Sequence, residues 1–285
     1  MEQQPVLQTI DPELAERVLS RRAAILRGAS VSAGVAAGLA LASVPVALAA
    51  FSREAFGQGA SLPQDIIDVL NFALTLEYLE STFYDTGVAT SGLIPSSDIA
   101  IFQQIMKHED AHVVFLQTTL GSAAVAKPSF DFTAGNGSNN GPFADVFSNY
   151  ETFKTVSQAF EDTGVRAFKG QAANLISNDA ILTAALQIHS VEARHAAAVR
   201  QLRGLTGWIS GTTGNLPTAA NDAVYGAGNP ADSFPADDNT VQGGVDLATA
   251  IAGIDRARIT EAFDEPLDRD TVLAIAAPFI VGDTP

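Results

Sequence analysis

Between residues 60 and 205 apolar positions recur at helical spacing in four stretches, and every stretch carries an acid on its apolar side. Taking about 100° per residue, the first stretch, Asp65 to Tyr84, places Ile66, Leu70, Ala73 and Tyr84 on one face. Glu77 shares that angle, and Glu80 stands one step round. The second carries Phe102, Ile105, Met106, Val113, Leu116 and Leu120, with Glu109 and His112 in a gap of the stripe. In the third, Tyr150 to Ile176, a broad face of Phe153, Val156, Phe160, Val165, Phe168 and Leu175 includes Glu161. The fourth runs through Ile181, Ala185, Ile188, Val199 and Leu202, with Glu192 near its centre and His195 to one side. Four amphipathic helices and no strand pattern make the fold class all-α, a four-helix bundle.

Two of the stretches hold Glu-x-x-His: Glu109-Asp-Ala-His112 and Glu192-Ala-Arg-His195. Residues three apart lie on one helix face, so each copy offers a carboxylate and an imidazole to one point. In chain order the inward set is Glu, Glu-x-x-His, Glu, Glu-x-x-His, the pattern of dinuclear carboxylate proteins with the ferritin-like fold. Energetics lead to the same place independently. An uncompensated buried ion costs several kcal/mol, and a domain is stable by only about 5 to 15 kcal/mol. Two divalent cations would balance Glu77, Glu109, Glu161 and Glu192, and His112 and His195 would complete the ligand set. These six residues are the candidate metal ligands and the candidate catalytic groups. Arg166, Arg194, Arg200 and Arg203 mostly fall away from the stripe centres, so they are not expected to neutralise the acids.

Around that set stand residues with more than one role open. Glu80 fits an extra ligand, a base beside the ligands, or a partner for a lysine of a neighbouring helix. The Tyr84 hydroxyl lies within reach of a ligating carboxylate, or serves as the polar tip of a core side chain. His189 either holds a ligand by a hydrogen bond or is a satisfied edge histidine. His108, one residue before Glu109, is expected to point away as a surface or capping residue, so that replacing it leaves metal binding near normal.

The strings LNFALTLEYLESTFY (Leu70 to Tyr84), HEDAH (His108 to His112), FEDTGVRAFKGQ (Phe160 to Gln171) and IHSVEARH (Ile188 to His195) resemble the ferritin-like domain proteins related to plant and bacterial desiccation-related proteins. DEPLDRDTVLAIAAPFI (Asp264 to Ile280) looks like the end of the same family, so the resemblance covers most of residues 60 to 285. It implies a four-helix ferritin-like bundle; the activity of the family is poorly settled.

Connection lengths suit that architecture. Thr86 to Ser96 joins the first two helices, Ser177-Asn178-Asp179 the last two, and a long Gly-, Asn- and Ser-rich stretch from Gly121 to Ser148 lies between the second and third. One long crossover between the middle helices is what a ferritin-type bundle requires, and loops of this length are otherwise uncommon. After the fourth helix, residues 206–285 form a C-terminal extension expected to pack on the bundle. Gly204 to Gln242 reads as loop, with short helices near Val245 to Ile254 and from Asp268 to Ala277, the latter stopped at Pro278. Having no histidine, this extension is assigned structure or assembly.

Residues 1–49 read as an address. Ser20-Arg21-Arg22 precedes a run of Ala, Val and Leu from Gly28 to Phe51, and Ala47-Leu48-Ala49 offers a cleavage site, the pattern of a twin-arginine export signal. That route carries folded proteins, which suits a chain that loads metal before export. A retained membrane helix is the competing reading, since the run is just long enough to span, and it would be the chain's sole membrane link. Up to Ala49 four basic residues balance four acidic ones, so the formal charge of −16 belongs to the remainder. Such acidity argues against nucleic acid or an anionic membrane surface as partner. Cysteine is absent, which excludes disulfides, thiolate ligands and iron–sulfur clusters.

The sequence therefore points to an exported protein with two iron or manganese ions in a carboxylate site, acting on dioxygen, peroxide or ferrous iron in stress protection. If it is an enzyme, it is an oxidoreductase of the ferroxidase or manganese-catalase type. Its partners would be metal ions and a small oxidant, with a homo-oligomer left open. The rival is a non-catalytic desiccation or stress protein whose metal is structural or absent.

Overall fold

The computed structural model describes residues 62–212 and 214–282; the arginine pair and the apolar run of residues 1–49 lie outside them. Four long helices, α1 (Gln64–Ala89), α2 (Ile99–Leu120), α3 (Tyr150–Gln171) and α4 (Asp179–Leu202), make the bundle. Two begin on asparagine caps: the Asn149 side chain accepts from the Glu151 N–H, and Asn178 accepts from the Ile181 N–H. α1 runs on past Tyr84 to Ala89, whereas α3 stops at Gln171 and a 3₁₀ turn, Ala172–Leu175, completes the stretch. α1 packs along α2 and α3 along α4; the two hairpins then face each other, α1 against α3 and α2 against α4.

The apolar core is divided. One cluster gathers Phe83, Phe102, Phe153 and Phe160; a second gathers Leu74, Phe115, Leu116, Ile181 and Ile188. On α2, Phe102 and Ile105 belong to the first and Phe115 and Leu116 to the second, with Glu109 and His112 between them. On α4, Ile188 and Val199 bracket Glu192 and His195 in the same way. Burying a large apolar side chain stabilises by about 1.5 to 3 kcal/mol, so the two clusters carry the fold and hold a polar layer dry between them.

The crossover from α2 to α3 is held at two points. Its two-residue strand Ser129–Phe130 pairs antiparallel with Ile280–Val281 near the end of the described chain. Beside it, the buried Asp131 carboxylate accepts from the Thr133 N–H and hydroxyl at 3.0 and 2.6 Å and from the Gly137 and Asn139 N–H groups, both at 2.9 Å. Those bonds organise the glycine- and asparagine-rich stretch around one anion.

The C-terminal segment supplies four short helices, α5 (Thr218–Tyr225), α6 (Leu247–Ala250), α7 (Arg256–Thr260) and α8 (Arg269–Ala276). α8 begins at Asp268, whose side chain accepts from the Thr271 N–H, close to the bounds expected. α5 was not expected: within it only Val224 and Tyr225 are buried, so the sequence shows no apolar period there. The helix expected from Val245 to Ile254 is a single turn, because Gly243 and Gly244, at φ 58° and 81°, close a hairpin between Val241–Gln242 and Val245–Asp246.

This segment covers the side of α3 remote from the polar layer, and there Arg166 is fully buried. Its guanidinium donates to the carbonyls of Val224, Gly226, Pro235 and Glu265 and stands 3.4 Å from the buried Asp237 carboxylate. The Leu267 N–H donates to the Arg166 carbonyl at 3.1 Å. Gly170 permits this approach, since a Cβ there would lie 1.9 Å from the Leu267 carbonyl oxygen. Asp162 accepts from Arg200 and from the Tyr225 hydroxyl, tying α3, α4 and α5 together. Among the described residues no helix is long and apolar enough to cross a membrane.

Candidate metal centre

Each bundle helix delivers its acid to the layer between the two apolar clusters. Glu77 from α1, Glu109 from α2, Glu161 from α3 and Glu192 from α4 are all fully buried, and His112 and His195 nearly so. The Nδ1 of His112 lies 3.2 Å from carboxylate oxygens of Glu77, Glu109 and Glu192 alike. The Nδ1 of His195 lies 2.7 Å from Glu109 and 3.4 Å from Glu161.

The donor atoms form two overlapping groups, each with all members within 4.8 Å of one another: Glu77, Glu109, His112 and Glu192, and then Glu109, Glu161, Glu192 and His195. Glu109 and Glu192 belong to both. Each group thus has one carboxylate and one imidazole of its own and shares two further carboxylates, the arrangement needed for two neighbouring cations with two bridges.

The protein alone leaves this layer unsatisfied. Glu77 Oε1, Glu109 Oε1, Glu161 Oε2, both oxygens of Glu192 and His195 Nδ1 are buried without a well-aligned hydrogen bond, their short contacts to the two imidazoles notwithstanding. Buried polar atoms are normally paired, and an orphan calls for an explanation such as an ion. Here the orphans converge on the two ligand groups, and the donor set, carboxylate oxygen with imidazole nitrogen, fits divalent iron or manganese.

Electrostatics reflect the same crowding. Burial pushes Glu77 and Glu80 well above the usual carboxylate range, and burial pushes Glu161 up to about 8 against the pull of His195. For Glu109 burial is outweighed by His195 and His112, which hold it below that range. The two imidazoles are raised in turn: burial lowers them, but Glu77 and Glu109 act on His112, and Glu161 and Glu109 on His195. Protons and metal cations therefore compete for one set of atoms.

Residues beside the ligands divide clearly. The Tyr84 hydroxyl donates to Glu161 Oε1 at 2.5 Å, turning the other oxygen of that carboxylate toward the centre. Glu80 is buried next to the layer, belongs to neither ligand group and has an unpartnered Oε2. Among the described residues it has no lysine partner either, and burial favours its protonated form. His189 belongs to neither ligand group; its ring lies beside the Val165 backbone of α3, and its Nδ1 is buried without a hydrogen-bond partner.

His108 is the residue that the sequence misplaces. It is half-buried, with its ring stacked on His195 at 5.1 Å and 12° and its Nδ1 2.8 Å from His195 Nε2; the Gln104 side chain stands 2.6 Å from its other nitrogen. The wheel of α2 alone puts His108 outside the stripe, but α4 packs against that flank and brings His195 to it. A bond at Nε2 fixes the orientation of the His195 ring and leaves Nδ1 for a metal. Arg166 and Arg200 are buried as well, yet Arg166 pairs with Asp237 of the C-terminal segment and Arg200 with Asp162 of α3, neither of them in a ligand group.

No curated protein matches the sequence. Residues 65–205, which span the four long helices and carry every ligand described, match the family model of the ferritin-like domain.

Proposed function

We propose that the protein binds two iron or manganese ions between its four long helices and carries out redox chemistry on dioxygen, peroxide or ferrous iron. One observation supports this above the others: two four-ligand groups share Glu109 and Glu192, and most of the buried unpartnered side-chain atoms among the described residues belong to them. A pair of redox-active cations supplies exchange of two electrons with a small oxidant. The chain's own residues then have separable tasks. Glu77 and His112 would hold one ion, Glu161 and His195 the other, and Glu109 and Glu192 would serve both. Tyr84 fixes Glu161, His108 fixes His195, and the two apolar clusters exclude bulk water.

Export through the twin-arginine route belongs to this proposal, on the strength of Arg21-Arg22 and the apolar run after them. Metal analysis of protein purified from its own compartment, followed by ferroxidase and peroxide-consumption assays, tests the reading. Two equivalents of iron or manganese with turnover would support it. A metal-replete but inert protein would favour the desiccation-related, non-catalytic reading, whose support is the resemblance of the helix strings and of the C-terminal segment. Protein that takes up neither ion would end the first reading.

A further inference from the structure

We infer that dioxygen reaches the dinuclear centre through an apolar passage that the C-terminal helix α8 builds against α3, and that this passage ends at Gly164. The inference rests on the redox reading above and narrows its oxidant.

An apolar cavity of about 430 Å³ lies between the crossover, α3, α5 and α8, with Phe143, Val156, Phe160, Ala223, Ile275 and Phe279 among its walls. A smaller one of about 20 Å³ lies further in, lined by Leu76, Leu79, Glu80, Gly164 and Ala276 and again by Phe160 and Ile275. Two side chains therefore partition the outer space from the inner. At the inner end, Gly164 brings the small cavity close to a bridging carboxylate: a Cβ there would lie 3.4 Å from both Glu192 Oε2 and Glu80 Oε1, and Glu80 itself lines the cavity. Glycine inside a helix costs about 0.5 to 1 kcal/mol relative to alanine. Gly164 lies in the middle of α3 and is not among the positive-φ glycines, so its backbone does not require it. Open space beside the carboxylates is what its missing side chain provides.

The lining selects the traveller. Apolar cavities of this kind stay dry and take up xenon or small apolar molecules. Dioxygen enters such a space without losing hydrogen bonds, whereas hydrogen peroxide would give up its bonds to water along the outer cavity before it met Glu80 and Thr163 of the inner one. Between α2 and α4 the layer is flanked by polar groups instead, with the Gln104 side chain against His108 and His108 against His195.

Crystals of the full-chain protein pressurised with xenon test the passage directly, with or without metal. Anomalous density in both cavities is the expected result, and density in neither overturns the inference, as does an organic molecule filling the outer cavity. Ile275→Trp fills the partition and touches no ligand; Gly164→Ala adds one methyl at ordinary contact distance. At equal iron content, Ile275→Trp should slow iron oxidation by dissolved dioxygen about tenfold, equivalent to about 1.4 kcal/mol of entry barrier. Gly164→Ala should slow it less, and oxidation by added peroxide should hold its rate in both. An unchanged dioxygen rate, or equal loss with both oxidants, contradicts the passage. A protein that binds no metal would refute the proposed function while leaving the xenon result to decide the cavity.

Discussion

Glu109 and Glu77 differ in one respect that mutagenesis can read: Glu109 belongs to both ligand groups and Glu77 to one. Glu109→Ala should therefore abolish binding of both ions, whereas Glu77→Ala should leave about one per chain; elemental analysis after dialysis checks this, and equal losses would contradict the bridging assignment. Proton bookkeeping gives a second expectation at this scale. Glu161 holds its proton up to about pH 8 without metal and must release it to bind a cation, so metal affinity should fall as pH drops below 8. Calorimetry in buffers of different ionisation enthalpy would show proton release on loading; a heat independent of buffer would count against it. All six candidate ligands were legible in the sequence as inward-facing groups, because an acid on an apolar stripe is conspicuous and Glu-x-x-His repeats it at helical spacing. His108 was not, since its contact belongs to a neighbouring helix and no single-helix wheel contains that neighbour. Its replacement, which the sequence alone would make harmless, should instead weaken metal binding; His108→Ala with normal affinity would show that the His195 bond does nothing for the site.

Among the elements, α3 is buried on two sides, with ligands and Phe residues toward the bundle and Arg166 toward the C-terminal segment. The four long helices could be read from their apolar period. The segment after Leu202 could not, because it packs through a few anchors and not through a continuous stripe. Tyr225 bonded to Asp162, Asp237 beside Arg166, and Leu267 on the α3 backbone are such anchors. An anchor of this kind leaves no periodic trace, which is why α5 passed for loop. Burial pushes Asp237 up to about 7, against the pull of Arg166, so the pair is costly to assemble and costlier to break. Asp237→Ala removes the counter-charge and leaves a fully buried guanidinium. Breaking a buried pair costs about 3 to 5 kcal/mol, and a lower denaturant midpoint of that size is expected. Metal content should stay normal, since Asp237 belongs to neither ligand group; a loss of metal would mean that the segment shapes the site itself.

For the whole molecule, the proposed function links folding, metal loading and export. Arg21→Lys with Arg22→Lys should stop a metal-loaded precursor from leaving the cytoplasm if the twin-arginine route carries it, and unchanged secretion would remove that route. Stability ties the first two together. Without metal, Glu161 has its folded value near 8 against an ordinary 4.5, so the folded state holds more protons than the unfolded one and loses stability as pH rises from 4.5 to 8. Glu77 and Glu80, raised in the same direction, add to that loss. His112 and His195 are raised above 6.5; their contribution is complete below that pH and disappears as pH rises through the folded values. Only Glu109, which is lowered, acts in the opposite sense, and it does so in acid. Metal-free protein should thus melt at progressively lower temperature between pH 5 and pH 8. Cations take the place of the lost protons, and at about 100 times the dissociation constant one bound ion contributes about 2.7 kcal/mol, or about 5 to 11 °C in a chain of this size. The gap in melting temperature between loaded and metal-free protein should accordingly widen toward alkaline pH. Melting curves recorded with manganese and with a chelator across that range decide it, and two parallel lines would mean that the buried carboxylates are not where the cation binds.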